Sequence, residues 1–111
     1  MKATILHNPR CSKSREALAL LHDRGVEVTV IEYLKHPPSR DELARLYARA
    51  GMTAADGLRR AEPAAKMLVG ADDDAILAAM IADPILIERP LVETDKGVRL
   101  GRPPSCILEI L

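Results

Sequence analysis

The opening third of the chain switches hydrophobic period twice, and that switching limits the fold more than any other feature. Ala3 to Leu6 is a short apolar run that reads as a buried strand, and Asn8-Pro9 breaks it. Ser12 to Arg24 reads as a helix, with Ala17, Leu18, Leu20 and Leu21 on its apolar side and Gly25 as its stop. Val26 to Leu34 reads as a strand in which Val26, Val28 and Val30 alternate with Glu27 and Thr29. Strand, helix, strand in this order is a βαβ unit, whose two strands pair in parallel.

Downstream, His36-Pro37-Pro38 ends the second strand and Ser39-Arg40-Asp41-Glu42 forms a capping box. The helix it opens carries Leu43, Leu46, Tyr47 and Ala50 at helical spacing and stops at Gly51. Met52 to Gly70 reads as short helical pieces broken by Gly57 and Pro63. Asp72 or Asp73 caps a further helix with Ile76, Leu77, Met80 and Ile81 inside, ended by Asp83-Pro84. Leu91 to Thr94 and Val98 to Leu100 are two short strands joined by Asp95-Lys96-Gly97. Pro103-Pro104 starts a last helix with Ile107, Leu108 and Leu111 inside. The expectation is one α/β domain spanning 1–111: βαβ, a helical insertion at about 39–83, then ββα, built on a four-stranded mixed sheet.

Composition narrows the chemistry. Nearly half of the 111 residues are hydrophobic, yet there is no Phe or Trp and only two Tyr, so the core is aliphatic. Aromatic platforms for stacking bases are missing. Sixteen basic residues balance sixteen acidic ones, so no net field draws the chain to nucleic acid or a membrane surface. No apolar run approaches the ~20 residues of a membrane span, and the short apolar N-terminus reads as a strand rather than a signal peptide. The two cysteines, Cys11 and Cys106, lie at opposite ends of the chain and make no disulfide framework, which points to a reducing cytoplasm. His7, His22 and His36 show no metal-ligand spacing with them, so no metal is expected.

The chemistry concentrates in His7-Asn8-Pro9-Arg10-Cys11-Ser12-Lys13-Ser14-Arg15. Cys11 follows a strand and immediately precedes a helix, where unpaired amide N–H groups and the positive helix end converge. A thiolate there is stabilised, and its pKa falls well below the ~8.5 of a free thiol. Ser14 can turn its hydroxyl back toward the sulfur, while His7, Arg10, Lys13 and Arg15 add donors or positive charge. The same amides can cradle an oxyanion. A loop cysteine between Pro9 and Lys13 makes a poor core residue, whereas Cys106, among core positions of the last helix, reads as structural. The motif is C-x-x-S, so Cys11 cannot close a local disulfide and an oxidised state must be resolved by another thiol.

The cysteine loop, Tyr33-Leu34 with Pro37-Pro38-Ser39, Leu58-Arg59, Pro84-Ile85-Leu86-Ile87-Glu88-Arg89-Pro90 and Gly101-Arg102-Pro103-Pro104 run through the chain in order. On these stretches the sequence resembles the glutaredoxin-coupled arsenate reductase (ArsC) family, most closely its short YfgD-like branch. The resemblance implies a thioredoxin-like fold with a helical insertion. It also implies arsenate reduction with glutathione as electron donor and glutaredoxin as transient partner. By residue match it implies Cys11 as nucleophile, His7 and Ser14 as groups that tune the thiolate, and Arg59, Arg89 and Arg102 as the arginines that hold the oxyanion, with Arg60 the alternative to Arg59. Thioredoxin-like folds begin the strand facing the cysteine with a cis proline, so Arg89-Pro90 is expected to be cis. Arg99, alternating with Val98 and Leu100, is expected to face solvent. The rival readings are a glutathione-linked thiol oxidoreductase on another substrate and a non-enzymatic relative of the transcription regulator Spx that binds RNA polymerase.

Overall fold

Strand β1 (Lys2–His7) buries Ala3, Ile5 and Leu6. Helix α1 (Ser12–Asp23) follows, and strand β2 (Glu27–Glu32) returns beside β1 in parallel, from Lys2↔Glu27 to His7↔Glu32. Arg24 caps α1, and Gly25 at φ 69° reverses the chain into β2, a conformation that favours glycine. The structure is a computed structural model and describes residues 1–111.

The chain divides into two compact units, Met1–His36 with Arg89–Leu111, and Pro37–Glu88. In the first, β3 (Leu91–Thr94) lies antiparallel to β1, and β4 (Gly97–Leu100) lies antiparallel to β3, giving a mixed four-stranded sheet in the order β2-β1-β3-β4. Ala3, Ile5 and Val92 from one sheet face pack with Ala17 and Leu21 of α1 and with Ile107 and Ile110 of the C-terminal segment. Burial of this aliphatic surface is the main force holding the layers together.

Three expectations need correction here. First, the second strand is shorter than Val26 to Leu34: β2 covers Glu27–Glu32, and on this edge strand Val30 is 44% exposed. Second, the hairpin is tighter than expected: Gly97, at φ 151°, belongs to β4 and pairs with Thr94, leaving a two-residue Asp95-Lys96 turn. Third, the last helix is a 3-10 helix (Pro104–Ile110), so its repeat of three buries Pro104, Ile107 and Ile110 and leaves Leu108 and Leu111 half-buried.

The second unit holds α2 (Arg40–Ala50) and α3 (Asp73–Ala82), with short 3-10 helices at Pro63–Leu68 and Pro84–Leu86. Ser39 caps α2 by accepting from the Glu42 N–H at 3.1 Å, and Asp72, not Asp73, caps α3 by accepting from the Ala75 N–H at 2.8 Å. Leu43, Leu46, Tyr47, Ile76, Leu77 and Met80 are buried, while Ala50 and Ile81 are half-buried. Pro63 opens a 3-10 helix rather than breaking one, since its fixed φ and missing N–H suit a first helical position. Leu58 bridges Ile87, and the Arg59 N–H donates to the Leu86 carbonyl at 2.8 Å, which anchors the segment before α3 to the one after it.

Candidate active site

The loop that joins β1 to α1 is held by its own polar groups. Asn8, 4% exposed, accepts the Cys11 N–H through its carbonyl at 3.0 Å and the Arg10 N–H through Oδ1 at 3.0 Å. Its own N–H donates to Ser14 Oγ at 3.1 Å, and Ser14 Oγ lies 2.6 Å from His7 Nδ1. The Arg15 guanidinium donates to the Pro9 carbonyl at 2.8 Å. His7, Asn8 and Ser14 are buried, so the bonds among them replace hydration that the fold removes.

Cys11 is the N-cap of α1, in extended conformation at φ −93°, and its thiol is half-buried and unpaired with any other cysteine. Burial by itself pushes the thiol up. Hydrogen bonds from the Ser14 amide, the Arg89 side chain and the Lys13 amide outweigh it, and the charge of Arg89 adds to them, so the thiol sits below its ordinary range. Ser14 therefore reaches the sulfur through its backbone N–H. Its hydroxyl, expected to turn toward the sulfur, is taken by His7 and Asn8 instead. Burial also pushes His7 down; Glu32, its register partner across β1 and β2, opposes this, and Arg15 reinforces it.

Sheet register brings the arginines to the same edge. Leu6 pairs with Leu91 and Leu91 with Leu100, so the end of β1, the start of β3 and the end of β4 are side by side. Arg89, 7% exposed, precedes β3 through a cis bond to Pro90, as expected. Half-buried Arg102 donates from Nη1 to the Arg89 carbonyl at 3.1 Å and precedes a second cis bond, to Pro103, that the sequence did not announce. Cys11, Arg89 and Arg102 are thus brought together.

Arg59 belongs to the helical unit. Its Nη1 donates to Glu88 at 3.0 Å and its Nε lies 3.5 Å from Glu62. Arg60 is exposed. Arg99 faces solvent as expected, its side chain 38% exposed, donating to Glu109 at 2.9 Å and to the Val98 carbonyl at 2.8 Å. His22 and His36 are exposed, and no group of three His, Cys, Asp or Glu is arranged to hold a metal ion. Asn8 and Glu32 escaped the sequence reading. Asn8 was legible only as a strand breaker, and Glu32 faces His7 only through strand register.

A half-buried cysteine at a helix N-terminus, beside a cis-proline strand in a β2-β1-β3-β4 sheet, defines a protein of thioredoxin-like fold. The ArsC family model matches residues 6–110, nearly the whole chain. An arsenate reductase of Rhizobium meliloti (strain 1021) is 45% identical, the match covering 100% of this chain and 82% of that protein. An arsenate reductase of Neisseria meningitidis is 39% identical over 96% of each chain. The solved structure of an arsenate reductase from Vibrio cholerae superposes with a TM-score of 0.93 at 47% identity, covering 100% of this chain and 98% of the other. The chain belongs to the ArsC family. No helix is long and apolar enough to cross a membrane.

Proposed function

We propose that this protein is an arsenate reductase in which Cys11 is the nucleophile. The observation that carries the reading is the Cys11 thiol, drawn toward its thiolate by two helix-start amides and the Arg89 side chain. A donor set that stabilises S⁻ also suits a tetrahedral oxyanion, to which guanidinium groups bind by paired hydrogen bonds. Arg89 and Arg102 hold the substrate at the sheet edge, and the motif match gives Arg59 an oxyanion-binding role as well. His7 and Ser14 act on the thiolate by fixing the loop that carries the amides.

The thiolate attacks arsenic(V), a sulfur–arsenic bond forms, and hydroxide leaves with a proton as water. Glutathione thiolate then attacks the Cys11 sulfur. The sulfur–arsenic bond breaks, its electron pair reduces arsenic(V) to arsenic(III), and a Cys11–glutathione disulfide remains. Glutaredoxin takes the glutathione from Cys11, whose thiolate is regenerated. No second cysteine lies in the loop to resolve the disulfide internally, which supports an external thiol donor and a reducing cytoplasm as the setting.

Arsenite formation from arsenate with glutathione and glutaredoxin tests the reading. Wild type is expected to turn over and Cys11→Ser to fall to background. Arg89→Ala and Arg102→Ala are each expected to lose about ten- to hundredfold, from ~1.5–3 kcal/mol per charged hydrogen bond. Activity that survives in Cys11→Ser contradicts the reading.

A further inference from the structure

We infer that the pocket on the β2 flank of the cysteine loop is the subsite for the thiol co-substrate, a small peptide-like thiol with free carboxylates and an ammonium group. The inference rests on the reading above, in which a second thiol must reach Cys11. β1 lies between β2 and β3 in the sheet. Arg89 and Arg102 occupy the β3–β4 flank of the loop that β1 feeds. Because β1 and β2 are parallel, the end of β2 comes to the same edge on the other flank, with Glu32 beside His7. There, a cavity of about 310 Å³ is lined by His7, Pro9, Arg10, Glu32, Leu34 and Lys35, among others. An oxyanion held by the arginines leaves this flank open for the attacking thiol.

The lining selects a class of ligand. A volume near 300 Å³ lies at the small end of ligand pockets. Arg10 and Lys35 are two exposed cations for carboxylates. Glu32 pairs with Lys35 at 3.7 Å, and an exposed pair of this kind is weak enough to open, Glu32 to an ammonium group and Lys35 to a carboxylate. Leu34, 42% exposed, and Pro9 offer apolar surface between them. A neutral thiol would leave Arg10 without a counter-ion, and an inorganic anion would use neither Glu32 nor the apolar surface. A γ-glutamyl tripeptide thiol, with two carboxylates and one ammonium, matches the set.

The test uses S-methylglutathione, whose sulfur cannot react, in a ¹H–¹⁵N titration of the whole protein. Amide shifts are expected at Arg10, Leu34 and Lys35. Lys35→Glu and Leu34→Glu change exposed side chains. With glutaredoxin saturating, each is expected to raise the KM for glutathione at least tenfold without moving that for arsenate, and Lys35→Glu to leave the KM for 2-mercaptoethanol unchanged. Shifts confined to Arg89–Leu91, or an unchanged glutathione KM in both variants, overturn the subsite. Shifts at the pocket in a protein that turns over no arsenate uphold the subsite while the proposed reaction fails.

Discussion

Cys11 and His7 are both lowered, but by opposite balances. At Cys11 the donors overcome burial, and at His7 burial overcomes Glu32. The loop thereby favours a thiolate near a neutral imidazole. The His7 balance has a stability consequence whose sign is fixed. A folded-state pKa below the unfolded 6.5 means that the unfolded chain takes up the proton first as pH falls. Stability is unaffected by His7 above pH 6.5 and is lost as pH drops below that value. Urea unfolding of wild type and His7→Gln at pH 7.5 and 5.5 measures this, and the wild type is expected to lose more stability between the two. An equal loss in both proteins would show that His7 does not contribute. At this scale Cys11 was legible as a cysteine before a helix, a local pattern, whereas Arg89 and Arg102 were singled out only through the family resemblance. The sequence misdirected the Ser14 hydroxyl, since both groups that capture it, His7 Nδ1 and the Asn8 N–H, are buried by tertiary folding.

Among the elements, the turn from β4 into Arg102 leaves no room for a side chain at Gly101. Gly101 donates its N–H to the Pro90 carbonyl at 2.8 Å, and a Cβ on it would sit 2.8 Å from Pro90 Cγ. A proline ring cannot swing aside as a flexible side chain can, so the backbone carrying Arg89 or Arg102 must shift. Gly101→Ala is expected to destabilise the protein by about 1–3 kcal/mol, as overpacking does, and to cut arsenate turnover with it. Urea midpoints and arsenite formation check the two effects; an unchanged midpoint would mean the turn has more room than its contacts indicate. The element boundaries show why the reading of the C-terminal segment failed. Ile107, Leu108 and Leu111 fit a period near 3.6, but the segment winds with a repeat of three and buries Ile110. Capping signals were more reliable, because Ser39 and Asp72 act through bonds to residues three positions ahead, a spacing that sequence displays directly.

For the molecule as a whole, the order of elements was readable from hydrophobic period and punctuation, and the mixed sheet followed from it. Cys11 and Arg89, distant in sequence, meet because β3 runs antiparallel to β1 and starts where β1 ends. That meeting could be argued from topology before any coordinates. The partners of Arg59 could not: Glu62 is near in sequence but unmarked, and Glu88 reaches it only through the pairing of Leu58 with Ile87. The proposed chemistry depends on a Cys11 thiol that the loop amides and Arg89 hold below its ordinary range. The pH dependence of Cys11 alkylation, followed by mass spectrometry in wild type and Arg89→Ala, measures its ionisation directly. The predicted wild-type midpoint lies below that of a free cysteine peptide under the same conditions, and Arg89→Ala moves it upward. A wild-type midpoint at or above the peptide's would contradict the account.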